Sequence, residues 1–404
     1  MQTVLARQPI FDTKMRVVAY ELLYRTVEVG SEHFDGDRAT SSVLVNGVAL
    51  IGLKTLTEDK RAFVNFTRNL LVGDHALALS PSDVTVEVLE DIAPDEALIA
   101  ALHRLKDAGF TIALDDYVSS YPHQEIVDLA DIIKVDLLAE SAEGMGQIAE
   151  RFRGSGKLLL AEKVETKAQF HEAAARGYTL FQGYFFARPE LVSTHDVGTI
   201  AISYVRLLAE LSAEDPDFRR ITQVIEHDLA LSYKLLRIVN SAACRTSRRI
   251  TSIHQALTLL GLTEIRKWIA LIMLRDAGKN KPDELIRISL VRAKFMEGVA
   301  ELLGGKTRKS EFFLTGILSL LDTIMDKPFE ILLDEVPVGA DIGDALKGNP
   351  GTLRKALDIV IAYERGHWQS LADIEGIEAN RGIADLSVRY YEALAWAREM
   401  SETG

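Results

Sequence analysis

Short apolar runs alternate with helical patterns over about the first 190 residues of the chain. The runs are five or seven residues long and rich in β-branched residues, which is typical of strands that are buried on both faces. The predicted strands are RVVAYEL (16–22), AFVNF (62–66), VTVEV (84–88), TIALD (111–115), IIKVD (132–136), LLLAE (158–162) and TLFQG (179–183).

Helical patterns with recognisable ends lie between these strands. One helix is predicted to begin at PDE (94–96) and to end near Gly109, and another covers residues 167–178, with Gly177 at its carboxyl end. Strands and helices that alternate about every 20–30 residues indicate parallel βα units. Because about six or more such units follow one another, the sequence predicts an α/β TIM-like (βα) barrel.

Polar side chains stand at or near the carboxyl ends of the predicted strands. In a parallel barrel this edge forms the active site, so these side chains are expected to meet at the barrel mouth. A single polar strand end commonly marks only the start of a loop, but a long series of them favours a functional site. Converging carboxylates repel one another, and an oxygen-liganded cation such as Mg²⁺ or Mn²⁺ would balance them. The residues are Glu21, Asn65, Glu87, Asp115, Lys134, Glu162 and Gln182.

From about residue 196 the apolar residues recur at three- and four-residue spacing, as they do in amphipathic helices. No stretch of this half has the pattern of a strand. The predicted organisation is therefore a barrel domain over residues 1–195, followed by an all-α helical domain over residues 196–404.

Composition narrows the class of protein. The chain has 404 residues, a net charge of −13 and a pI of about 5.3, which argues against broad attachment to nucleic acid or membranes. Its single cysteine, Cys244, excludes an internal disulfide and a cysteine-based zinc cluster. The amino terminus has no apolar segment of the signal-peptide type, and no stretch reaches about 18 consecutive apolar residues. We expect a cytoplasmic protein.

The motifs at the strand ends resemble a known family. YELLYR (20–25) resembles the Glu-x-Leu-x-Arg signature of EAL-type cyclic di-GMP phosphodiesterases, and VNF, VEVLE, LDD, IKVD, AEKVE and FQGYFFARP match later motifs of that family in the same order. The helical half resembles the HDOD domain through LALSYKLLRIVNSA, SIHQALTLLG and LTGILSLLD. Together these stretches cover nearly the whole chain and resemble the EAL–HDOD signalling proteins of bacteria.

The resemblance implies roles for individual residues. It implies a general base at Glu162, a lysine that holds the attacking water at Lys134, and a further catalytic position at Glu165. It implies a supporting role for Glu90 and a divalent cofactor, Mg²⁺ or Mn²⁺. The implied metal ligands are Glu21, Asn65, Glu87, Asp115 and Asp116, and the implied substrate-binding residues are Gln8, Arg25, Asp136 and Gln182.

Two departures from the family pattern bear on activity. Active members usually have glycines after the paired aspartates, whereas DDYVSSYP (115–122) has none and the interval to Lys134 is about two residues shorter. We expect this loop to take another path and to leave Asp116 poorly aimed at a second metal. Lys163 replaces the usual glycine after Glu162, and its side chain is expected either in the pocket, where it would depress the pKa of Glu162, or in solvent.

Three functions are compatible with these observations. The departures favour a weakly active or inactive barrel that acts in cyclic di-GMP-related signalling by binding nucleotide and protein partners. The retained acids favour an active metal-dependent phosphodiesterase that converts cyclic di-GMP to linear pGpG. A third reading is a pure protein-interaction scaffold. The resemblance implies protein partners for the HDOD half and leaves a homodimer open. His227-Asp228 is expected to have a capping or surface role rather than to bind a metal.

Overall fold

Eight strands close into a barrel in the order in which they occur along the chain. The structure is a computed structural model, and it describes residues 2–27, 53–187, 199–211, 215–240, 250–279, 281–335, 338–372 and 381–403. The strands are β1 (Gln2–Asp12), β2 (Val17–Val27), β3 (Arg61–Phe66), β4 (Val84–Val88), β5 (Thr111–Leu114), β6 (Ile132–Asp136), β7 (Leu158–Glu162) and β8 (Leu180–Gln182). The predicted TIM-like barrel is confirmed.

The first strand departs from the predicted parallel pattern. β1 pairs antiparallel with both β2 and β8, whereas β2 through β8 are parallel neighbours. β1 was not predicted, because the buried Arg7 interrupts its apolar pattern and no helix follows it. A tight turn joins β1 to β2, and Asp12 Oδ1 accepts hydrogen bonds there from the N–H groups of Lys14 (2.8 Å) and Arg16 (3.0 Å). This hairpin replaces the first βα unit.

Helices connect the parallel strands, and their ends are fixed by capping side chains. Asp95 caps α3 by accepting from the N–H of Leu98 at 2.8 Å, and Gly177 ends α6 with a φ of 107°. The predicted helices at these two places are confirmed. The described helices of this region are α1 (Leu53–Thr57), α2 (Arg68–Val72), α3 (Glu96–Asp107), α4 (Gln124–Leu129), α5 (Ala142–Phe152) and α6 (Lys167–Arg176).

A layer of apolar side chains fills the barrel beneath its mouth. Its members come from most of the strands, and all of them are buried. The layer consists of Ile10, Ala19, Phe63, Ala113, Ile132 and Leu160, with Leu180 packed against it. This packing fixes the direction in which the next interior side chain of each strand points.

The rest of the described chain is helical, and no strand occurs among the residues described after 198. The predicted all-α half is confirmed. Its helices pack closely where Gly316 faces its neighbour, since a Cβ there would lie 2.6 Å from the carbonyl oxygen of Arg292. The helices are α7 (Thr199–Leu211), α8 (Phe218–His227), α9 (Leu229–Val239), α10 (Ile253–Ala277), α11 (Asp283–Leu302), α12 (Lys309–Leu318), α13 (Leu321–Met325), α14 (Phe329–Glu335), α15 (Ala340–Lys347), α16 (Thr352–Glu364), α17 (Trp368–Ala372) and α18 (Arg381–Thr403).

The contacts divide the chain into two units. The first contains the described residues up to 187 together with 362–372 and 381–384, and the second contains the other described residues. The predicted boundary at 195/196 falls within 188–198, outside the described residues. A short segment from late in the sequence is therefore part of the barrel unit.

Candidate active site at the barrel mouth

The polar strand ends line the barrel one step above its apolar layer. Successive side chains of a strand point to opposite faces, so residues two apart share the barrel interior. Glu21 follows Ala19 in this way, and Lys134 follows Ile132. The same offset places Asn65 above Phe63, Asp115 above Ala113, Glu162 above Leu160 and Gln182 above Leu180, and in the reversed β1 it places Gln8 above Ile10.

Lys134 is a cation at the centre of this polar layer. Its side chain is 1% exposed, and its Nζ lies 2.7 Å from Glu87 Oε1, 2.7 Å from Asp115 Oδ1 and 3.0 Å from Glu162 Oε1. Glu21 Oε2 is 3.6 Å away. Desolvation lowers the pKa of Lys134, but the surrounding carboxylates outweigh it and raise that pKa well above its usual value. Lys134 is therefore protonated and supplies part of the positive charge that the acids require.

Two of these carboxylates lie where little water reaches them. Desolvation raises the pKa of Glu87 well above its usual value, although Lys134 opposes the rise. Desolvation likewise raises the pKa of Glu162 to about 8, again against the effect of Lys134 and with help from Asp115 and Glu21. A carboxylate that exchanges its proton near neutral pH is suited to general acid–base chemistry.

Side-chain amides hold Glu21 in place from both sides. Asn65 Nδ2 donates to Glu21 Oε1 at 3.2 Å, and Gln182 Nε2 donates to Glu21 Oε2 at 2.6 Å. Gln182 Nε2 also donates to Gln8 Oε1 at 2.9 Å. The structure thus brings these predicted site residues together, while the metal-ligand roles of Glu21, Asn65 and Glu87 stay predictions.

Asp115, Asp116 and Glu162 form a group that could hold a metal ion. One carboxylate oxygen of each lies within 4.8 Å of the corresponding oxygens of the others. Desolvation and the neighbouring Asp115 raise the pKa of Asp116, as expected for acids that crowd one another. Three convergent carboxylates fit a hard divalent cation such as Mg²⁺ or Mn²⁺.

The loop after Asp116 has no left-handed residue of its own. No residue in 117–121 has a positive φ, whereas Asp116 itself has a φ of 38°. Tyr117 anchors the loop, because its N–H donates to the carbonyl of Lys134 at 2.8 Å and its hydroxyl accepts from Arg151 at 2.5 Å. The left-handed backbone thus falls on an aspartate, one of the residue types that tolerate it best. The expected poor aim of Asp116 at a second metal stays a prediction.

Lys163 lies at the rim with its ammonium group against Asp136. Its Nζ is 2.6 Å from Asp136 Oδ2, its side chain is 53% exposed, and its φ is 52°. Desolvation lowers the pKa of Lys163, but the hydrogen bond to Asp136 and the charge of Asp116 outweigh it and raise that pKa. The side chain therefore remains partly in solvent and engages a predicted substrate-binding residue.

The other predicted site residues lie around the rim. Glu90 is exposed just after β4, and partial desolvation raises its pKa. Glu165 is also exposed, and its N–H donates to Gln169 Oε1 at 2.9 Å. Arg25 pairs with Val4 in the β1–β2 hairpin, but its side chain lies outside the described residues. The predicted roles of these three residues stay predictions.

One contact of Gln8 was not predicted from the sequence. Gln8 Nε2 donates to the carbonyl oxygen of Arg365 at 3.4 Å, and the guanidinium carbon of Arg365 lies 4.5 Å from the ring centroid of Tyr184. Tyr184 could have been predicted as a residue near the site, because it follows the predicted site residue Gln182 by two positions. Arg365 lies on a helical pattern far along the chain, and nothing in that pattern indicates that it packs against the barrel.

The His227-Asp228 pair lies where one helix ends and the next begins. The Asp228 side chain caps α9 by accepting from the N–H of Leu231 at 2.9 Å, which confirms the predicted cap. His227 Nδ1 lies 2.7 Å from the carbonyl oxygen of Gln223. In the described part of the chain, no helix is long and apolar enough to span a bilayer.

Comparison with known proteins finds relatives over the whole length of the chain. The EAL domain matches residues 51–189 and the HDOD domain matches residues 197–325. The chain is 38% identical to the uncharacterized protein YuxH of Bacillus subtilis, over 100% of both chains. It is 33% identical to the cyclic di-GMP phosphodiesterase CdgJ of Vibrio cholerae, over 99% of this chain and 93% of that one.

Solved structures also match in part. The Bacillus subtilis YkuI protein, with an EAL domain and in complex with cyclic di-GMP and calcium, is 19% identical, covers 65% of this chain and 74% of its own, and has a TM-score of 0.40. The Klebsiella pneumoniae BlrP1 manganese and cyclic di-GMP complex is 24% identical, covers 47% of this chain and 56% of its own, and has a TM-score of 0.38.

Proposed function

Because the chain belongs to the family of EAL–HDOD proteins, we propose that its barrel binds cyclic di-GMP at the mouth and hydrolyses it to linear pGpG with a divalent cation. The observation that carries this proposal is the group formed by Asp115, Asp116 and Glu162, with an oxygen of each within 4.8 Å of the others. The name of the Vibrio cholerae relative, a cyclic di-GMP phosphodiesterase, supports the choice of substrate.

The donor set fits the cofactor that this reaction would need. Asp115 and Asp116 offer carboxylate oxygens, the ligands that Mg²⁺ and Mn²⁺ prefer. When bound, such a cation neutralises phosphodiester charge and lowers the pKa of a coordinated water. Asp115 is also bound to Lys134 at 2.7 Å, so its carboxylate is fixed before any ligand arrives. The mouth is therefore organised in advance for a divalent cation.

Glu162 is the proposed proton acceptor. Desolvation raises the pKa of its carboxyl to about 8, so its carboxylate form is a stronger base than that of an ordinary glutamate. Lys134 Nζ, 3.0 Å from Glu162 Oε1, restrains the carboxylate and balances the charge of the neighbouring acids. In the reaction Glu162 would take a proton from the attacking water, and Lys134 would hold that water in line.

A second candidate function is that of a receptor which binds cyclic di-GMP without turnover. Two observations favour it: the loop over residues 117–121 lacks glycine, and the ammonium group of Lys163 lies 2.6 Å from Asp136 Oδ2. Lys163 ties up a residue that the family resemblance assigns to substrate binding. In this second function the barrel still binds cyclic di-GMP at its mouth but does not hydrolyse it.

Turnover by the full chain separates these functions. We expect chromatography to detect pGpG after incubation with cyclic di-GMP and Mn²⁺ or Mg²⁺, and Glu162→Gln to lower the rate by about 10²–10⁴-fold. Glu150→Gln is the matched control, because Glu150 is 65% exposed and pairs with Arg153 away from the mouth. Binding of cyclic di-GMP in calorimetry without turnover would establish the receptor function. The absence of both binding and turnover would favour the pure protein-interaction scaffold.

We further propose that the helical unit binds protein partners. Leu229 and Tyr233 of α9 are 83% and 67% exposed, and residues four apart lie on the same face of a helix. Leu229→Ser combined with Tyr233→Ser should therefore abolish capture of a specific partner from cells that make the protein. Val388→Ser is the control, since Val388 is 58% exposed on α18. Equal capture by the double variant and the wild type would contradict this surface.

A further inference from the structure

A turn from late in the sequence packs against the barrel beside the mouth. It belongs to residues 362–372, which are part of the first unit. Tyr363 is fully buried, and its hydroxyl donates to the carbonyl oxygen of Leu5 in β1 at 3.2 Å. A Cβ on Gly366 would lie 2.9 Å from Leu23 Cδ1 of β2. These contacts fix the turn on the β1–β2 hairpin, which also carries Gln8 and Glu21.

Arg365 occupies this turn and reaches the site residues from two directions. Its carbonyl oxygen accepts a long hydrogen bond of 3.4 Å from Gln8 Nε2, and Gln8 Oε1 accepts from Gln182 Nε2 at 2.9 Å. Its guanidinium carbon lies 4.5 Å from the ring centroid of Tyr184, which follows the mouth end of β8. Backbone and side chain together place Arg365 at the rim of the mouth.

Arg365 differs from the two lysines of the mouth in having no carboxylate partner among the described residues. The ammonium groups of Lys134 and Lys163 already have carboxylate partners at 2.6–3.0 Å. Arg365 is exposed, and no ion pair engages it among the residues described here. A guanidinium over an aromatic face keeps its N–H donors at its edge, where two of them can bind phosphate oxygens in parallel. For an anionic ligand at this acidic mouth, Arg365 offers a cation that no carboxylate of the described residues compensates.

We propose that Arg365 is a ligand-contact residue, whose guanidinium donates to a phosphodiester oxygen of the bound cyclic dinucleotide while Tyr184 and Gln8 hold it in place. The inference rests on the proposed function, since it requires a nucleotide at the mouth. Arg365 lies outside both matched ranges, 51–189 and 197–325, so neither domain assigns it a role.

Calorimetric titration with cyclic di-GMP and Mn²⁺ tests this role in the full chain that carries Glu162→Gln to prevent turnover. Arg365→Ala should weaken binding about tenfold, which corresponds to about 1.4 kcal/mol. Arg365→Lys should weaken it only about threefold, because lysine keeps the charge but lacks the planar fork. Arg153→Ala should leave the affinity unchanged, since Arg153 is 71% exposed and pairs with Glu150 on the connection that enters β7 from the opposite edge.

The outcomes separate this inference from the function on which it rests. Binding by Arg365→Ala within twofold of the parent would overturn the role of Arg365 and leave the proposed function standing. No binding by the parent and none by the wild-type chain under the same conditions would overturn the proposed function, and the role of Arg365 with it. The thermal midpoint without nucleotide should be the same for the Ala and Lys variants. A midpoint that falls in parallel with affinity in both would show a merely structural role and would also overturn the inference.

Discussion

At the scale of single residues, Lys134 determines how the acids of the mouth coexist. Its ammonium group lies within 3.0 Å of three carboxylates, those of Glu87 in β4, Asp115 just after β5 and Glu162 in β7. A buried charge with such partners contributes little net stability compared with an apolar residue of the same shape, yet removal of one partner leaves the others uncompensated. Lys134 therefore matters to folding of the metal-free protein as well as to any chemistry.

Replacement of this lysine should be costly. Lys134→Met keeps the length of the side chain but leaves Glu87, Asp115 and Glu162 without their cation. We expect the free energy of unfolding to fall by about 3–5 kcal/mol, measured by urea unfolding without metal. Lys163→Met is the control and should cost no more than about 1 kcal/mol, because the Lys163 side chain is 53% exposed. Equal losses in the two variants would contradict the central role of Lys134.

Backbone strain at Lys163 can be measured separately from its ion pair. Lys163 has a φ of 52°, a conformation that glycine adopts without cost. Lys163→Gly and Lys163→Ala both remove the contact with Asp136, but only glycine relieves the strain. We expect the Gly variant to be more stable than the Ala variant by about 1 kcal/mol in urea unfolding. A more stable Ala variant would show that this backbone is not strained.

The sequence could predict which residues meet at the mouth but not every contact they make. Strand periodicity of two fixes the interior position of Glu162 from that of Leu160, so the polar layer follows from the apolar one. The orientation of Lys163 does not follow from periodicity. It depends on a left-handed backbone and on the placement of Asp136 across the neighbouring strand, both of which are set by the assembled barrel.

At the scale of elements, the turn after β8 packs closely against the backbone that follows β7. Gly183 has a φ of 143°, and a Cβ there would overlap the backbone N, C and O atoms of Val164. Val164 N–H donates to the carbonyl oxygen of Gln182 at 3.0 Å, so this close approach also sets the position of Gln182. Only glycine permits the approach.

Gly183→Ala should therefore displace Gln182 from Glu21. We expect a loss of more than about 2 kcal/mol in urea unfolding, because the overlap is with backbone that cannot rotate away. Gly177→Ala is the matched control: its φ is 107° but nothing lies within 4 Å of the added Cβ, so it should cost only about 1 kcal/mol of strain. A smaller loss for Gly183→Ala than for Gly177→Ala would contradict the steric account.

Strand prediction worked where the pattern was local and failed where it was not. β4 has five buried positions in succession and matches its predicted range of 84–88. β1 was missed because its burial includes Arg7, whose guanidinium lies over the ring of Tyr20 and donates to Glu58 at 3.1 Å. Arg7 can be buried only because residues distant in the sequence, such as Glu58, bind its guanidinium. The residues close to Arg7 in the sequence do not reveal these partners.

At the scale of the whole molecule, the sequence predicts the fold class of each of the two units but not which residues belong to each unit. The prediction of an all-α half is consistent with the helix over Thr352–Glu364. It does not indicate that Tyr363 is buried against Leu5, because amphipathic spacing reveals that a face is covered and not what covers it. The assignment of 362–372 to the barrel unit thus required three-dimensional contacts.

The last prediction concerns where in the molecule metal binds. In titrations with Mn²⁺, Asp115→Asn and Asp116→Asn should each weaken binding at least about tenfold, because each replaces a charged oxygen ligand at the mouth. Asp228→Asn should leave binding unchanged, since Asp228 caps α9 and asparagine caps a helix as well as aspartate does. His227→Ala should also have no effect, because the ring of His227 is engaged with the carbonyl oxygen of Gln223 in its own helix. If the helical unit held the metal instead, the pattern would invert: the two changes at 227 and 228 would remove binding and the two at the mouth would not. Asp228→Asn removes the same acidic charge as each change at the mouth, so the comparison reports the location of the site rather than a general loss of acidic charge.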